Sequence, residues 1–430
     1  MAKNKIKLLV ISSVMPHVKS NFEAANVILH SILSELINSN SFELTYMYVN
    51  STLPEIPMNA KSEIDELKDK GVKFLDPLLL EPNPPLHKHP FKLIKAFFFK
   101  PEAILYGHGE GKKLLSLLNG HEIDAVMPVW SELGSNIASE LPFLRFAYNG
   151  NPENKVFDAY YEIMRLANVQ PKGIRFLFYW MRYSILSNIL KRAHIAILRR
   201  YNFVADVGAI DAADYKSHGI NAFYLQNMWP INPPADWVSR RDNMEANNLS
   251  KIVGNVGNTS ATGNSLGFIA LTQEVLPALK TKLDLESFKI HIFGGREPRD
   301  YLKPLLNDTQ IVLRGFVDDL DAEIMSAPVF MVLNNRYNFQ SGHTRFLHAW
   351  SLGACVIAFD NCSESMPEIK NGYNALLGSS SEEIADLIVQ ALSDRDLRRR
   401  IGQGGVDTLK SKFHPSVVTK TLVNKIKQSF

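Results

Sequence analysis

The stretch Asn334–Asp360, NNRYNFQSGHTRFLHAWSLGACVIAFD, is dense in hydrogen-bond donors and lies beside two apolar runs. The run before it, PVFMVL at Pro328–Leu333, and the run that ends it, ACVIAFD at Ala354–Asp360, both have the pattern of buried strands. Between them, Thr344 or Ser341 is a candidate N-cap for a helix. The stretch therefore predicts a strand, a polar loop, a helix and a second strand, as in a parallel α/β sheet.

Strand-like and helix-like runs of this kind alternate along the whole chain, in two series. The strand-like runs lie at 7–13, 42–49, 72–76, 123–129, 144–149, 203–209 and 222–227, and then at 251–257, 288–295, 310–317, 328–335 and 354–360. Such alternation is typical of parallel sheets flanked by helices. We therefore predict an α/β protein with two Rossmann-like domains facing a cleft, with ligands beyond the carboxyl ends of the strands.

The segment between the two series sets the expected domain boundaries. WPINPPADWVSRRDNMEANNLSK, at Trp229–Lys251, is polar and contains several prolines, as interdomain linkers often do. We expect an N-terminal domain over residues 1–235, a linker over 236–250 and a C-terminal domain over 251–410. A closing helix is expected over 411–430, and its return to the N-terminal domain is left open.

The composition limits the classes of protein to be considered. Among 430 residues, 46% are hydrophobic, and the formal net charge of +3 gives no basic field for a nucleic-acid partner. Two cysteines, Cys355 and Cys362, are too few for a disulfide framework or a zinc site. No apolar run approaches the length of a membrane-spanning helix. We expect a cytoplasmic protein, and contact with the inner face of a membrane is left open.

The first turn of the helix predicted after the opening loop combines a cation with a helix N-terminus. The first N–H groups of a helix are unpaired and partly positive, so they attract phosphate. Arg345 opposes the helix dipole there, and a bound diphosphate would reverse that penalty. Thr344, Arg345 and His348 share one helix face. The pattern predicts a site for an anion; the alternative is that Arg345 pairs with a surface carboxylate and His348 is a core residue.

Five segments of the second series, in this order, resemble the C-terminal half of GT-B glycosyltransferases, especially family 4. They are IVGNVGN, FKIHIFGG, IVLRGFVDDLDAEIMSAPVFMVLNN, SGHTRFLHAWSLGACVIAFD and MPEIKNGYNALL, and they span Ile252–Leu377. KLLVISSVMPHVKSNFEAANVILHSIL and AFYLQNMWPINPP resemble the family's N-terminal half more weakly. The resemblance implies the GT-B fold. It also implies transfer of a sugar from a nucleotide-sugar donor to a hydroxyl of a glycan or glycolipid acceptor, in surface polysaccharide synthesis.

The resemblance also implies roles for individual residues. Gln340 and His348 stand where the family has two glutamates that frame the donor, and we assign catalytic roles to these two positions. The residues expected to bind the donor are Gly257, Asn258, Arg296, Phe316, Val317, Arg336, Ser341, Gly342, His343, Thr344 and Arg345. Retention of the anomeric configuration is expected, with no metal and no cofactor other than the nucleotide-sugar co-substrate.

The acceptor side is predicted from the N-terminal half. An inverting reaction would need a general base near the acceptor, for which His17 and Glu132 are candidates. Contacts with the acceptor are expected for Asn21, Trp130 and Asn151. The alternatives are that His17 is a solvated or capping residue and that Glu132 is a first-turn acid of a helix.

Two segments that mix basic and aromatic residues suggest contact with a membrane. Pro85–Lys113 and Gly173–Arg200 suit an anionic membrane face that presents a lipid-linked acceptor, with a buried helix as the alternative. Two rival functions also remain open. One is a non-catalytic homologue that binds a nucleotide sugar or glycan as a partner subunit; the other is a sugar-nucleotide epimerase or hydrolase.

Overall fold

The structure, a computed structural model, describes residues 5–18, 24–54, 56–82, 90–150, 152–337, 339 and 344–430, without the side chains of residues 59, 90, 92 and 153. The chain divides into two compact units. The first is built from residues 1–154, 178–230 and 414–430, and the second from residues 155–177 and 231–413. The chain therefore passes between the units four times.

The first unit is built on a sheet of parallel strands. They are β1 (Ile6–Ser12), β2 (Phe42–Asn50), β3 (Lys73–Phe74), β4 (Leu78–Leu79), β5 (Ala125–Pro128), β6 (Leu144–Asn149), β7 (Phe203–Asp206) and β8 (Ala222–Tyr224). Their order is β3-β2-β1-β5-β6-β7-β8, and β4 pairs with the end of β2. The apolar run of β1 is buried along most of its length, as expected for a parallel strand covered on both faces.

Helices connect these strands. They are α1 (Ala24–Asn38), α2 (Lys61–Asp69), α3 (Pro90–Phe98), α4 (Gly111–Leu117), α5 (Glu132–Ala138), α6 (Glu153–Leu166), α7 (Ile174–Leu198) and α8 (Ala209–Ser217), with 3-10 turns at Met58–Ala60 and Pro101–Ile104. In the described part of the chain, no helix is both long enough and apolar enough to cross a membrane.

The second unit has its own parallel sheet. Its strands are β9 (Lys251–Asn255), β10 (Lys289–Phe293), β11 (Ile311–Gly315), β12 (Val329–Val332), β13 (Val356–Phe359) and β14 (Leu376–Gly378), in the order β11-β10-β9-β12-β13-β14. From β9 the chain adds β10 and β11 on one side and then returns to add β12 on the other. The two parallel sheets confirm the predicted α/β class.

The remaining helices follow the linker region in sequence. They are α9 (Trp237–Glu245), α10 (Thr262–Ala270), α11 (Leu276–Lys280), α12 (Leu320–Met325), α13 (Thr344–Ser351), α14 (Cys362–Ser365), α15 (Ser381–Ser393), α16 (Arg395–Thr408) and α17 (Pro415–Lys427). A 3-10 turn lies at Leu285–Ser287 and π-helical turns lie at Leu271–Val275 and Leu409–Phe413. The helix α10 thus continues into α11 through the π-helical turn at Leu271–Val275.

The helix α17 packs in the core of the first unit, although most of the second unit precedes it in sequence. Val418, Leu422 and Ile426 are buried in one cluster with Leu8 of β1 and Ile28 of α1. These three residues recur at helical spacing, so they form the apolar face of α17.

Two segments differ from the sequence-based description. Residues 236–250, expected as a linker, contain α9, which belongs to the second unit and buries Trp237 and Arg241. Its sequence, WVSRRDNME, is polar and therefore resembles a linker. Arg241 and Glu245 are nevertheless buried because they pair with each other, which hydropathy does not reveal. The run 310–317, expected as buried, forms the edge strand β11, and Leu313 is half exposed there.

Candidate functional site

The order of the second sheet reverses between β9 and β12, and such a point is where parallel α/β sheets bind ligands. The helix after β9 adjoins the segment after β12 here. A Cβ at Gly267 of α10 would lie 3.4 Å from the backbone nitrogen of Asn334, and one at Gly263 would lie 3.0 Å from the ring of Phe339. The carboxyl edge of β9 and β12 is therefore the candidate site of this unit.

Arg345, in the first turn of α13, reaches across this edge. Its Nε donates to the carbonyl of Val256 at 3.3 Å, and its Nη2 donates to Oδ1 of Asn264. Both acceptors are neutral, and no carboxylate of the described residues offsets the burial of the guanidinium. The residues of this unit outside the described set, Asn338 and Gln340–His343, include no acid.

Burial also changes the acid–base behaviour of this arginine. It lowers the pKa of Arg345 to about 10, because removal from water disfavours the charged form. The side chain is still protonated at neutral pH. A desolvated cation with only neutral partners is electrostatically incomplete, and an anionic ligand would complete it.

The loop after β9 is fixed in place beside Arg345. Gly257 has φ of 95°, a left-handed conformation that favours glycine. Oδ1 of Asn258 accepts from the backbone N–H of Ser260 at 3.0 Å, and Nδ2 of Asn264 donates to the carbonyl of Asn258 at 2.6 Å. Asn264 thus links the guanidinium to the loop and holds both.

A cavity of about 900 Å³ opens beyond the ends of β10 and β11. Arg296 and Phe316, both predicted to bind the donor, line it, and both are exposed. Val317 follows Phe316 and is half buried. The glycines at the ends of β9 and β10 meet closely, because a Cβ at Gly294 would collide with the carbonyl of Gly257. The cavity and the loop beside Arg345 are therefore neighbours at one edge of the sheet.

Arg336, the third arginine of the prediction, already has an acidic partner. Its Nε donates to Oε2 of Glu274 at 2.8 Å, and Glu274 also accepts from the hydroxyls of Tyr337 at 2.5 Å and Ser381 at 2.9 Å. Glu274 lies in the π-helical turn at Leu271–Val275. Its contacts hold the start of the segment that leads from β12 to α13, so Arg336 has a role in shaping that segment.

The other predicted residues of α13 are placed as follows. His348 is largely buried, and its Nε2 lies 2.7 Å from Oδ1 of Asp321 in α12. Thr344 begins α13 and is half buried. Gln340, Ser341, Gly342 and His343 lie outside the described residues, and their predicted roles stay predictions.

In the first unit, the described residues predicted for the acceptor side include His17 and Trp130, which follow β1 and β5 in sequence. His17 is 4% exposed, and its neighbour Val18 donates its N–H to Oε2 of Glu63 at 2.6 Å. Trp130 follows β5 with φ of 47°, and its backbone N–H donates to the carbonyl of Tyr148. Asn21 and Asn151 lie outside the described residues.

Neither candidate site has a cluster of metal ligands among its described residues. No group of three or more His, Cys, Asp or Glu side chains lies close enough to hold a metal ion, within the ranges that the structure describes. The structure adds Asn264 and Glu274 to the residues of the candidate site. Asn264 falls in the polar run NTSATGNS, but its link to Arg345 depends on a contact between residues 81 positions apart, for which the sequence carries no signal.

Comparison with solved structures shows the GT-B fold of the glycosyltransferases. The chain is similar to HepE of Anabaena, solved with UDP and glucose, with a TM-score of 0.60, 11% identity, and coverage of 98% of this chain and 99% of that one. For sucrose-phosphate synthase of Thermosynechococcus elongatus, the TM-score is 0.61 and the identity 12%, with coverage of 99% of this chain and 100% of that one. For a glycosyltransferase of Rickettsia africae, the TM-score is 0.57 and the identity 13%, with coverage of 99% of each chain.

The second unit carries the more specific sequence match. Residues 250–394 match the model of the family described as glycosyl transferases group 1. No curated protein matches the chain in sequence. The resemblance to GT-B glycosyltransferases inferred from the five segments is confirmed, and membership of family 4 stays a prediction.

Proposed function

We propose that this protein transfers a sugar from a nucleotide-sugar donor to a hydroxyl of a carbohydrate or lipid-linked acceptor. The observation that carries the proposal is Arg345, a desolvated guanidinium at the switch point of the second sheet whose described partners are all neutral. A donor diphosphate would supply the missing negative charge. The cavity beside Arg296 and Phe316 would then receive the nucleoside part of the donor.

Calorimetric titration with UDP, GDP, dTDP, ADP and CMP tests the donor site. We expect one nucleoside diphosphate to bind, and Arg345→Ala to weaken its binding about 100-fold, since one partner of a desolvated charge pair is lost. Arg395→Ala, which removes a half-exposed arginine paired with Asp242, is the matched control and should bind as the wild type does. No binding by any nucleotide, or equal binding by Arg345→Ala, would contradict the proposal.

The products separate this function from its rivals. A glycosyltransferase yields a glycoside from a donor and an acceptor, whereas an epimerase or hydrolase yields free sugar from the donor and water. A non-catalytic subunit would bind the nucleotide and yield neither. The anomeric configuration of the product, read by NMR, tests the proposed retention.

We also propose that no metal is needed, because Arg345 and the amides of the loop after β9 would stabilise the leaving diphosphate. The test is transfer with and without EDTA in a metal-free buffer. Equal rates are expected, and loss of activity that Mg²⁺ or Mn²⁺ restores would contradict this point.

Peripheral contact with an anionic membrane is proposed for the first part of α7 and for α3. Phe178, Trp180 and Met181 are exposed beside Arg182, and α7 contains no acidic residue. In α3, exposed Phe91, Ile94, Phe97 and Phe98 accompany Lys95, again without an acid. Apolar residues with basic neighbours and no acids fit the surface of an anionic bilayer, where a lipid-linked acceptor would be presented.

Flotation with vesicles tests this contact. Vesicles of phosphatidylglycerol should carry the protein upward at low salt, and vesicles of phosphatidylcholine should carry less of it. Trp180→Glu should reduce flotation, whereas Leu249→Glu, at an equally exposed apolar residue elsewhere, should not. Protein that stays at the bottom with anionic vesicles would contradict the proposal.

A further inference from the structure

A small cavity lies at the carboxyl ends of β5 and β6 in the first unit. Its volume is about 100 Å³, and Trp130, Glu132, Asn149 and His194 form part of its wall. A water molecule occupies about 30 Å³ in the liquid, so the cavity has room for a group of a few atoms.

Asn149 lines this space and carries an amide donor with no partner among the described residues. Its side chain is 8% exposed, and Nδ2 has no hydrogen-bond partner among the described residues. Oδ1 of the same amide accepts from Oγ of Ser135 at 3.4 Å. Buried amide donors are nearly always satisfied, so Nδ2 needs an oxygen from outside the described part of the chain.

Acidic and basic side chains face each other on another part of the wall. Nδ1 of His194 lies 3.1 Å from Oε1 of Glu132, and Nε2 lies 2.9 Å from the hydroxyl of Tyr215. Burial holds the pKa of Tyr215 well above its usual value, so this hydroxyl keeps its proton and can donate to Nε2. Nδ1 then carries the proton that faces Oε1 of Glu132, and a carboxylate can accept more than one hydrogen bond.

Trp130 completes the site, and its backbone has a conformation that tryptophan rarely adopts. Its φ of 47° lies in the left-handed region, which is costly for a residue other than glycine, asparagine or aspartate. Its indole packs on Gly150, where a Cβ would lie 3.3 Å from the ring. This backbone conformation therefore presents an aromatic surface next to a donor and an acceptor, a combination suited to the C–H face and hydroxyls of a sugar.

We propose that this cavity receives one hydroxyl-bearing carbon of a carbohydrate acceptor, such as a hydroxymethyl group. Asn149 donates to the hydroxyl oxygen, Glu132 accepts its proton in a hydrogen bond, and Trp130 lies against the ring. The inference rests on the sugar transfer proposed above and extends it by naming the acceptor class and the group that is read.

Binding of simple sugars to the full chain tests the site. The probes are the methyl glycosides of glucose, galactose, mannose and N-acetylglucosamine, titrated in the presence of saturating UDP and followed by saturation-transfer NMR. Each is compared with analogues that lack one hydroxyl. We expect at least one glycoside to bind, and one deoxy analogue of it to bind about tenfold more weakly, as for one lost hydrogen bond.

Two variants assign that loss to the cavity. Asn149→Ala should bind the complete glycoside about tenfold more weakly and should distinguish it from the deoxy analogue less than the wild type does, because both changes remove the contact with Asn149. Asn136→Ala is the matched control, since Asn136 is also buried, donates to the carbonyl of Tyr106 at 2.9 Å and lies outside the cavity wall. Glu132→Gln, with the shape of the side chain retained, gives a second reading should Asn149→Ala unfold.

The outcomes distinguish this inference from the donor site. If UDP binds and no glycoside does, or if Asn149→Ala and Glu132→Gln both discriminate the deoxy analogue as the wild type does, the cavity does not read an acceptor hydroxyl. Failure of every nucleotide to bind would instead overturn the proposed function. Tenfold loss in the variants with unchanged UDP affinity supports the assignment.

Discussion

Two arginines of the second unit, the buried Arg241 and the partly buried Arg345, differ in what surrounds them. Arg241, in α9, is 4% exposed, and its Nε lies 2.6 Å from Oε1 of Glu245, whose Oε2 accepts from Arg398 at 3.0 Å. Among the described residues, Arg345 donates to the carbonyl of Val256 and the amide of Asn264. The first arginine has its counter-ion within the unit, so its role is structural, whereas the second lacks one, which is the condition expected of a group that awaits an anion.

The largest effect is expected from removing the counter-ion of the structural arginines. Glu245→Gln leaves the guanidinium groups of Arg241 and Arg398 buried without an acid, and we expect the free energy of unfolding to fall by about 3–5 kcal/mol. Urea unfolding measures it. Glu286→Gln, at an exposed acid of the same unit, is the control and should change stability by less than about 0.5 kcal/mol. Equal stability of the two variants would remove the distinction between the arginines.

The second prediction concerns Arg345, where we expect a small effect on stability and a large effect on nucleotide binding. Arg345→Met removes a partly buried, desolvated cation together with its hydrogen bonds, so we expect the free energy of unfolding to change by less than about 1 kcal/mol. In the wild type, a nucleoside diphosphate at 100 times its dissociation constant should stabilise the fold by about 2.7 kcal/mol, and in Arg345→Met at the same concentration by much less. Thermal unfolding with and without nucleotide measures both. A variant that unfolds several kcal/mol more easily would make Arg345 a structural residue like Arg241.

A smaller, pH-dependent effect is expected at Glu274. Burial alone would raise the pKa of this carboxyl, but hydrogen bonds from Tyr337, Ser381 and Arg336 outweigh burial and hold the pKa below its usual value. Because the pKa is lower in the folded than in the unfolded state, the stability that Glu274 contributes is present above about pH 5 and is lost as the pH falls through the folded value. Glu274→Gln lacks this dependence.

Thermal unfolding of the wild type and Glu274→Gln between pH 7 and pH 3 checks the sign. The difference between their midpoints, on the order of 2–4 °C per kcal/mol for a unit of the size of the second one, should shrink toward acid pH. Glu286→Gln, at an exposed acid of the same unit that takes no part in these hydrogen bonds, is the control, and its midpoint should stay close to that of the wild type throughout. A difference that grows on acidification would mean that Glu274 is not held as a carboxylate by these contacts.

The contrast between the arginines also shows how far the sequence leads. The alternation of apolar runs predicts both parallel sheets, since burial on both faces leaves a continuous apolar signal. The position of Arg345 in the first turn of a helix after a polar loop predicts a candidate anion site. The sequence does not tell Arg345 from Arg336, because the two differ in a contact with Glu274, which is 62 residues from Arg336.

Other parts of the prediction depend on contacts that have no local signature. The segment 236–250 reads as a linker because WVSRRDNME is polar, yet Arg241 and Glu245 are buried through pairing with each other and with Arg398, 153 residues beyond Glu245. The cavity beside Asn149 depends on His194 of α7, which hydropathy alone places simply on an apolar helix. Charge pairing and buried polar walls are non-local, so sequence pattern identifies the residue types and leaves their partners open.

The placement of α17 has a consequence for synthesis of the protein. A ribosome that has made residues 1–230 has produced every strand of the first sheet, but Val418, Leu422 and Ile426 of its core are still some 190 residues away. The nascent first unit therefore exposes an apolar groove on β1 and α1 while the second unit, largely continuous in sequence, emerges and folds. The first unit is therefore completed after the second. A chain that ended before residue 415 would lack α17 and with it part of the first unit's core.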